Sequence, residues 1–198
     1  MLKYSAGLVS QSFWFVEFKN MTKLVYDGKS LEEIKNMCVE DNIFGAVSDS
    51  RKIRMYGYLQ RRVKVLDKEL VKIFIDSDVS TQKLINIYTV MKTDRLFFDF
   101  LYEVYREKIM LGINKIDRAD INIFFKNKEI QNDSIANWTD KTKNKLASTY
   151  ISFLRDANLI TSDGEDKKTR KPILSKNFED YLVKNNLDVV IKALTGVK

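Results

Sequence analysis

Apolar positions recur at three- and four-residue spacing along most of this chain, the period of helices with one buried face. From residue 8 to 112 the pattern predicts helix after helix. Leu8 to Tyr26 is rich in apolar and aromatic residues and ends at Asp27-Gly28. Ser30-Leu31-Glu32-Glu33 is a capping box, in which the Ser30 hydroxyl takes the Glu33 N–H and the Glu33 carboxylate reaches back. Leu31, Ile34 and Cys38 then form a stripe, and Asp41-Asn42 breaks it. A long helix begins near Ser48–Ser50. Asp67 opens another with Leu70, Ile73 and Phe74; after the Asp76-Ser77-Asp78 turn comes one with Leu84, Ile87, Tyr88 and Met91. Thr93 is expected to cap the next, where Phe97, Phe100, Leu101, Val104 and Leu111 recur. Gly112 is expected to close it.

The pattern changes after Gly112. Asn114 to Asn127 predicts a short amphipathic helix with Ile116, Ile121, Phe124 and Phe125. Thr139 caps a strongly patterned helix through Ala157. Leu159-Ile160-Thr161 and Ile173-Leu174 flank a polar, glycine-containing tip, Ser162 to Lys171, and predict a β-hairpin. Two short helices follow, around Phe178–Lys184 and Leu187–Leu194. Helix, short helix, longer helix and hairpin is the order of a winged helix-turn-helix. The expected fold class is therefore mostly α. A helical domain spans 1–112, and a winged-helix-like domain with C-terminal helices spans 113–198.

Composition narrows the chemistry. The 198 residues include one Pro and seven Gly, so few turns are punctuated and long helices are the default. There is no His and one Cys, which excludes histidine-based catalysis, an internal disulfide and a Cys/His zinc site. Neither Phe13-Trp14-Phe15-Val16 nor Ile73-Phe74-Ile75 approaches the roughly 20 apolar residues of a membrane span. The N-terminus does not read as a signal peptide. The expectation is a cytoplasmic protein with no membrane partner.

Charge is unevenly spread. Residues 51–72 hold eight basic and two acidic residues, and residues 139–176 hold nine and five. These segments contribute +6 and +4 to a net +7, so the rest of the chain is mildly acidic. Such asymmetry points to a polyanionic partner.

Helical projection of the two segments nominates side chains. In 140–157, Leu146, Tyr150, Phe153, Leu154 and Ala157 share one side. Lys141, Asn144, Lys145, Ser148, Ser152 and Arg155 lie opposite. Lys and Arg suit phosphates, and Asn and Ser suit base edges or sugar. The hairpin adds Lys167, Lys168, Arg170 and Lys171 as a basic wing, offset by the tip acids Asp163, Glu165 and Asp166. In 51–66, Met55, Tyr56, Leu59, Val63 and Leu66 share one side, with Arg51, Arg54, Arg61 and Lys64 broadly opposite. Tyr58 lies among these cations, placed to stack on an unpaired base. The competing assignment is a solvated helix whose arginines pair with Glu103 or Asp99. Gly57 sits within this helix at a conformational cost and would permit close approach of another helix.

Enzymatic signatures are weak. The sequence has no GxxxxGK[ST] loop and no GxGxxG. Glu165-Asp166-Lys167-Lys168 resembles a nuclease carboxylate-x-Lys element only superficially. Asp117 and Asp120 are better read as acids at a helix start. The expectation is a protein that is not an enzyme, with no cofactor and no metal.

Short motifs in order span nearly the whole chain: Tyr4-Ser5-Ala6-Gly7-Leu8, Trp14 with Glu17, Asp41-Asn42-Ile43-Phe44, Ser50-Arg51-Lys52, and Leu59-Gln60-Arg61-Arg62-Val63. Phe97-Phe98-Asp99-Phe100, Trp138-Thr139-Asp140-Lys141-Thr142, and Leu154-Arg155-Asp156-Ala157-Asn158-Leu159-Ile160 follow. Their order and spacing resemble the BrxA family of bacteriophage-exclusion (BREX) defence systems. The resemblance implies a non-enzymatic helical protein with a NusB-like N-terminal part and a winged-helix part. It also implies DNA binding alongside other BREX proteins. The family offers no catalytic motif to carry over, so the nominated residues rest on the projections. The expected function is a nucleic-acid-binding accessory of phage defence, with double-stranded DNA as partner and RNA left open. The alternatives are a scaffold docking on other defence subunits and a winged-helix transcriptional regulator.

Overall fold

The computed structural model describes residues 2–161 and 168–197. They are mostly helical and form two compact units, Trp14–Thr93 and Met1–Phe13 with Asp94–Lys198.

The Trp14–Thr93 unit holds five helices: α1 (Phe15–Tyr26), α2 (Leu31–Glu40), α3 (Asp49–Val63), α4 (Lys68–Asp76) and α5 (Val79–Thr93). α1 packs on α3, α4 and α5, and α2 lies along α3. Phe18, Ile34, Leu59, Leu70 and Phe74 are fully buried, and the Phe18 and Phe74 rings meet edge to face at 5.4 Å. The Ser30 capping box forms as expected, with Glu33 N–H donating to Ser30 Oγ at 3.1 Å and Ser30 N–H to Glu33 Oε2 at 2.8 Å. Those bonds hold the exposed Glu33 carboxyl down at about 2. α1 does not extend back to Leu8. A 3₁₀ turn occupies Gly7–Ser10, and Trp14 takes a left-handed conformation (φ 48°) before α1 begins. α5 is buried nearly all round, and several of its polar groups bond within the unit. Gln82 Nε2 donates to the Phe74 carbonyl and the Thr89 hydroxyl to the Asn86 carbonyl.

The second unit contains α6 (Arg95–Phe100), a π-helical turn (Leu101–Tyr105), α7 (Arg106–Leu111), α8 (Arg118–Gln131), α9 (Asp133–Ala136), α10 (Asp140–Asp156), α11 (Lys176–Lys184) and α12 (Asp188–Thr195). Thr93 is not the cap of α6. It ends α5, with its hydroxyl bonded back to the Thr89 carbonyl, and Asp94 caps α6 by accepting the Phe97 N–H at 2.8 Å. Residues 94–112 therefore cluster with the C-terminal part of the chain. Edge-on and tilted ring contacts among Phe97, Phe100, Phe124, Tyr150 and Phe153 bind α6, α8 and α10 together, and Phe13 joins them against Phe153. A polar knot around the buried Lys128 ties the N-terminal residues to this core. Lys128 Nζ donates to Asp99 (2.9 Å) and to Glu103, the Tyr4 hydroxyl donates to Asp99 (2.7 Å), and Arg95 lies over the Tyr4 ring at 4.2 Å.

The helix expected from Asn114 begins instead at Arg118, because Asp117 and Asp120 form a capping box. The preceding residues are extended. Lys115 pairs antiparallel with Lys168, and Ile160 with Thr169. Arg170 N–H donates to the Leu159 carbonyl at 2.8 Å and Thr169 N–H to the Asn114 carbonyl at 3.1 Å. Residues 168–170 thus run between two neighbours. The partner of Leu159–Thr161 is this segment and not Ile173-Leu174; Ile173 is almost wholly exposed (92%). Among the described residues there is no extended sheet.

Candidate nucleic-acid interface

Thr139 starts α10 by accepting the Thr142 N–H at 3.2 Å. The buried side, with Leu146, Tyr150, Phe153 and Leu154, is set against the aromatic core. That burial fixes the rotation of the helix and turns Lys141, Asn144, Lys145, Ser148 and Arg155 outward as exposed residues, with Ser152 half-exposed. Ser148 Oγ donates to the Asn144 carbonyl, which leaves its acceptor lone pairs facing out. No carboxylate lies within ion-pairing distance of Lys141, Lys145 or Arg155 among the described residues. Lys143 differs: it bonds Glu129 and Asp140, and these contacts raise its pKa.

Lys168, Arg170 and Lys171 are exposed. Their backbone is fixed, since the Tyr105 hydroxyl donates to the Arg170 carbonyl at 2.6 Å and the Thr169 hydroxyl to the Ile113 carbonyl. Burial pushes the Tyr105 phenol far above its ordinary range, so it remains a donor. Lys167, the tip acids Asp163, Glu165 and Asp166, and most of the carboxylate-x-Lys run lie outside the described residues.

Beside α10, the outer side of α8 contributes residues that the projections passed over. Arg118, Asn122 and Lys126 follow one another at four-residue spacing, and all are exposed. With Asn144, Lys143 and Ala147 of α10 they line an open cleft of about 600 Å³. Neither Arg118 nor Lys126 has a carboxylate partner among the described residues. The i, i+4 spacing carries this signal in the sequence, but only the tertiary packing shows which side of α8 faces outward.

In the Trp14–Thr93 unit, α3 buries Met55, Tyr56, Leu59 and Val63 and exposes Arg51, Arg54, Arg61 and Lys64. The alternative partners Asp99 and Glu103 are held by Lys128, and no carboxylate pairs with these four cations among the described residues. Tyr58 is half-buried; its ring stacks on Trp14 at 6.0 Å, and the Arg61 guanidinium lies over it at 4.7 Å. Behind them Arg62 is fully buried over the Trp14 ring, and burial followed by the charge of Arg61 brings its pKa to about 9.

Among the described residues, no group of three or more Cys, Asp or Glu side chains is placed to hold a metal. No helix of the described residues is long and apolar enough to cross a membrane. The class defined by these features is a mostly helical protein whose two compact units each present an exposed cationic helix face.

The BrxA family model matches residues 2–186. The BREX protein BrxA of Bacillus cereus (strain H3081.97) is 33% identical over 179 residues, which covers 90% of each chain. This chain belongs to the BrxA family. The crystal structure of an uncharacterized protein from Magnetospirillum magneticum shares the fold, with a TM-score of 0.83 at 19% identity over 99% of this chain and 100% of that one.

Proposed function

We propose that this protein is a non-enzymatic, double-stranded-DNA-binding accessory of a BREX phage-defence system, acting in the cytoplasm with other BREX proteins. The observation that carries the reading is the outer face of α10, where Lys141, Lys145 and Arg155 surround Asn144 and Ser148 without a carboxylate partner among the described residues. Membership of the BrxA family supports the defence context. The order of elements supports a winged helix: residues 113–115, α8, α10, residues 159–161 and residues 168–170, with the last segment paired to both earlier extended ones. In this reading α10 enters a groove, with Asn144, Lys145 and Ser148 nearest the bases. Lys168, Arg170 and Lys171 lie along phosphates as a wing. The helices of Trp14–Thr93 then correspond to the NusB-like part.

A salt titration of binding to random-sequence duplex tests this. Six phosphate contacts give a slope of log K against log salt of about −5, so a fourfold rise in salt weakens binding by about a thousandfold. Lys141→Glu, Lys145→Glu and Arg155→Glu together should flatten the slope by about 2 through the two phosphate contacts and weaken binding further through Lys145. Absence of binding at low salt refutes the reading, as does an unchanged affinity in the folded triple variant. Single-stranded RNA as competitor separates RNA from DNA.

The scaffold alternative is favoured by one feature. Met110, Leu111 and Ile113 are exposed in close succession at the end of α7 (39%, 70% and 42%). Exposed apolar side chains of this kind fit a protein contact.

A further inference from the structure

The outer face of α3 has an unusual centre. At 100° per residue, Arg54, Arg61, Ser50, Gly57 and Lys64 fall within about a quarter of the helix circumference. This arc lies opposite the buried Met55, Leu59 and Val63. Glycine is the least favourable residue but proline inside a helix. Among the described residues no other element packs against Gly57; only the Arg61 Nε–H reaches back to its carbonyl, at 3.2 Å. A Cβ added at Gly57 would meet no atom within 4 Å apart from the helix's own backbone and the adjoining residues. The close helix–helix approach that the sequence suggested for Gly57 is therefore absent. The glycine instead leaves a smooth floor, with a cation on each side along the helix.

We propose that this face seats one strand of a nucleic-acid backbone lengthwise, with Gly57 at the point of closest approach and Arg54, Arg61 and Lys64 closing on phosphates. This rests on the nucleic-acid reading above, and adds a second contact surface on the other compact unit. Charge complementarity identifies the occupant: the arc carries three exposed cations and no carboxylate. A protein interface needs a central aromatic or aliphatic anchor; the centre here is Gly57 and Ser50, and the exposed Ile53 stands at the edge of the arc. Amide side chains, which read adenine edges bidentately, are absent from this arc. The seat takes the phosphate backbone through its cations. From Ser50 to Lys64 the helix extends about 20 Å, long enough to follow several successive phosphates of one strand. The stack of Trp14, Tyr58 and Arg61 gives the seat a fixed guanidinium. Tyr58 then acts as a positioning residue, not as a platform for a base.

The test measures fluorescence anisotropy of a labelled random-sequence duplex with the full chain, alongside thermal melts. Gly57→Leu keeps every charge and a good helix former, and should weaken binding about tenfold by lifting the strand off its phosphate contacts. Gly57→Ala should raise the melting temperature and still bind more weakly than wild type. If Gly57→Leu fails to fold, Gly57→Ala carries the test alone. Wild-type affinity in the glycine variants, with Arg54→Glu/Arg61→Glu weakened, overturns the close approach. Wild-type affinity in all α3 variants, with Lys145→Glu weakened, overturns the seat and leaves the α10 reading standing. Wild-type protein that binds no duplex at low salt overturns both.

Discussion

Asp94 allows a quantitative test of how the second unit is assembled. Its side chain is 8% exposed and caps α6 through the Phe97 N–H. Burial raises its pKa from 3.8 to about 6, with the Phe97 and Leu96 N–H groups opposing and Asp99 adding to the rise. The native state therefore holds the proton more tightly than the unfolded chain does. For this group, stability is greatest below about pH 4 and falls as pH rises to about 6. A shift of about two pKa units corresponds to roughly 3 kcal/mol. Asp94→Asn keeps a side-chain oxygen at the cap, where Asn and Asp are equivalent, and removes the buried charge. The variant should match wild type at pH 4 and exceed it by about 2–3 kcal/mol at pH 7.5. Urea denaturation followed by circular dichroism at both pH values gives the difference. Other titrating groups are common to the two proteins and cancel. A variant that is equally stable or less stable at pH 7.5 refutes the reasoning, since the charge would then not be held at a cost. A variant already more stable at pH 4 would show that the gain comes from packing.

Further expectations follow from the same contacts. Lys128→Met leaves Asp99 and Glu103 without their cation and, because water reaches Glu103, should cost roughly 1–3 kcal/mol in urea denaturation; Tyr4→Phe, which removes only its bond to Asp99, should cost about 1 kcal/mol. Ser30→Ala removes the cap of α2 and should cost about 1 kcal/mol by thermal melt. Gly57→Ala should stabilise by about 1 kcal/mol in the same assay, whereas Gly196→Ala should destabilise, because Gly196 is left-handed (φ 69°) and its added Cβ would lie 2.6 Å from Ile109 Cγ2.

Helix boundaries were legible where a local interaction decides them. The Ser30–Glu33 box and the Thr139 cap involve residues three apart, and each formed; Asp117 and Asp120 do lie at a helix start, but their capping box sets it at Arg118 and not at Asn114. One boundary failed where two adjacent residues offered the same chemistry: Thr93 bonds back to the Thr89 carbonyl as the last residue of α5, and Asp94 takes the cap of α6. The pairing of Ile160 with Thr169 also eluded the pattern, because apolar alternation pointed to Ile173-Leu174. The bond from Tyr105 to the Arg170 carbonyl, which helps hold that segment, spans residues far apart in sequence.

The nominated cationic faces rest on a similar division. The rotation of α3 and α10 was written in the sequence, because burying Leu59 and Val63 or Leu146 and Tyr150 turns the opposite side chains outward whatever the neighbours are. Whether those cations have partners was not. Asp99 and Glu103 were plausible partners for the arginines of α3, and only tertiary packing assigns them to Lys128, 29 and 25 residues away in sequence respectively. The same packing brings Arg118, Asn122 and Lys126 alongside α10 and leaves the space above Gly57 empty. Periodicity within a helix acts over a few residues and is fixed by backbone geometry. Pairing of charges depends on where distant helices come to rest, and that is decided by the packing of the core.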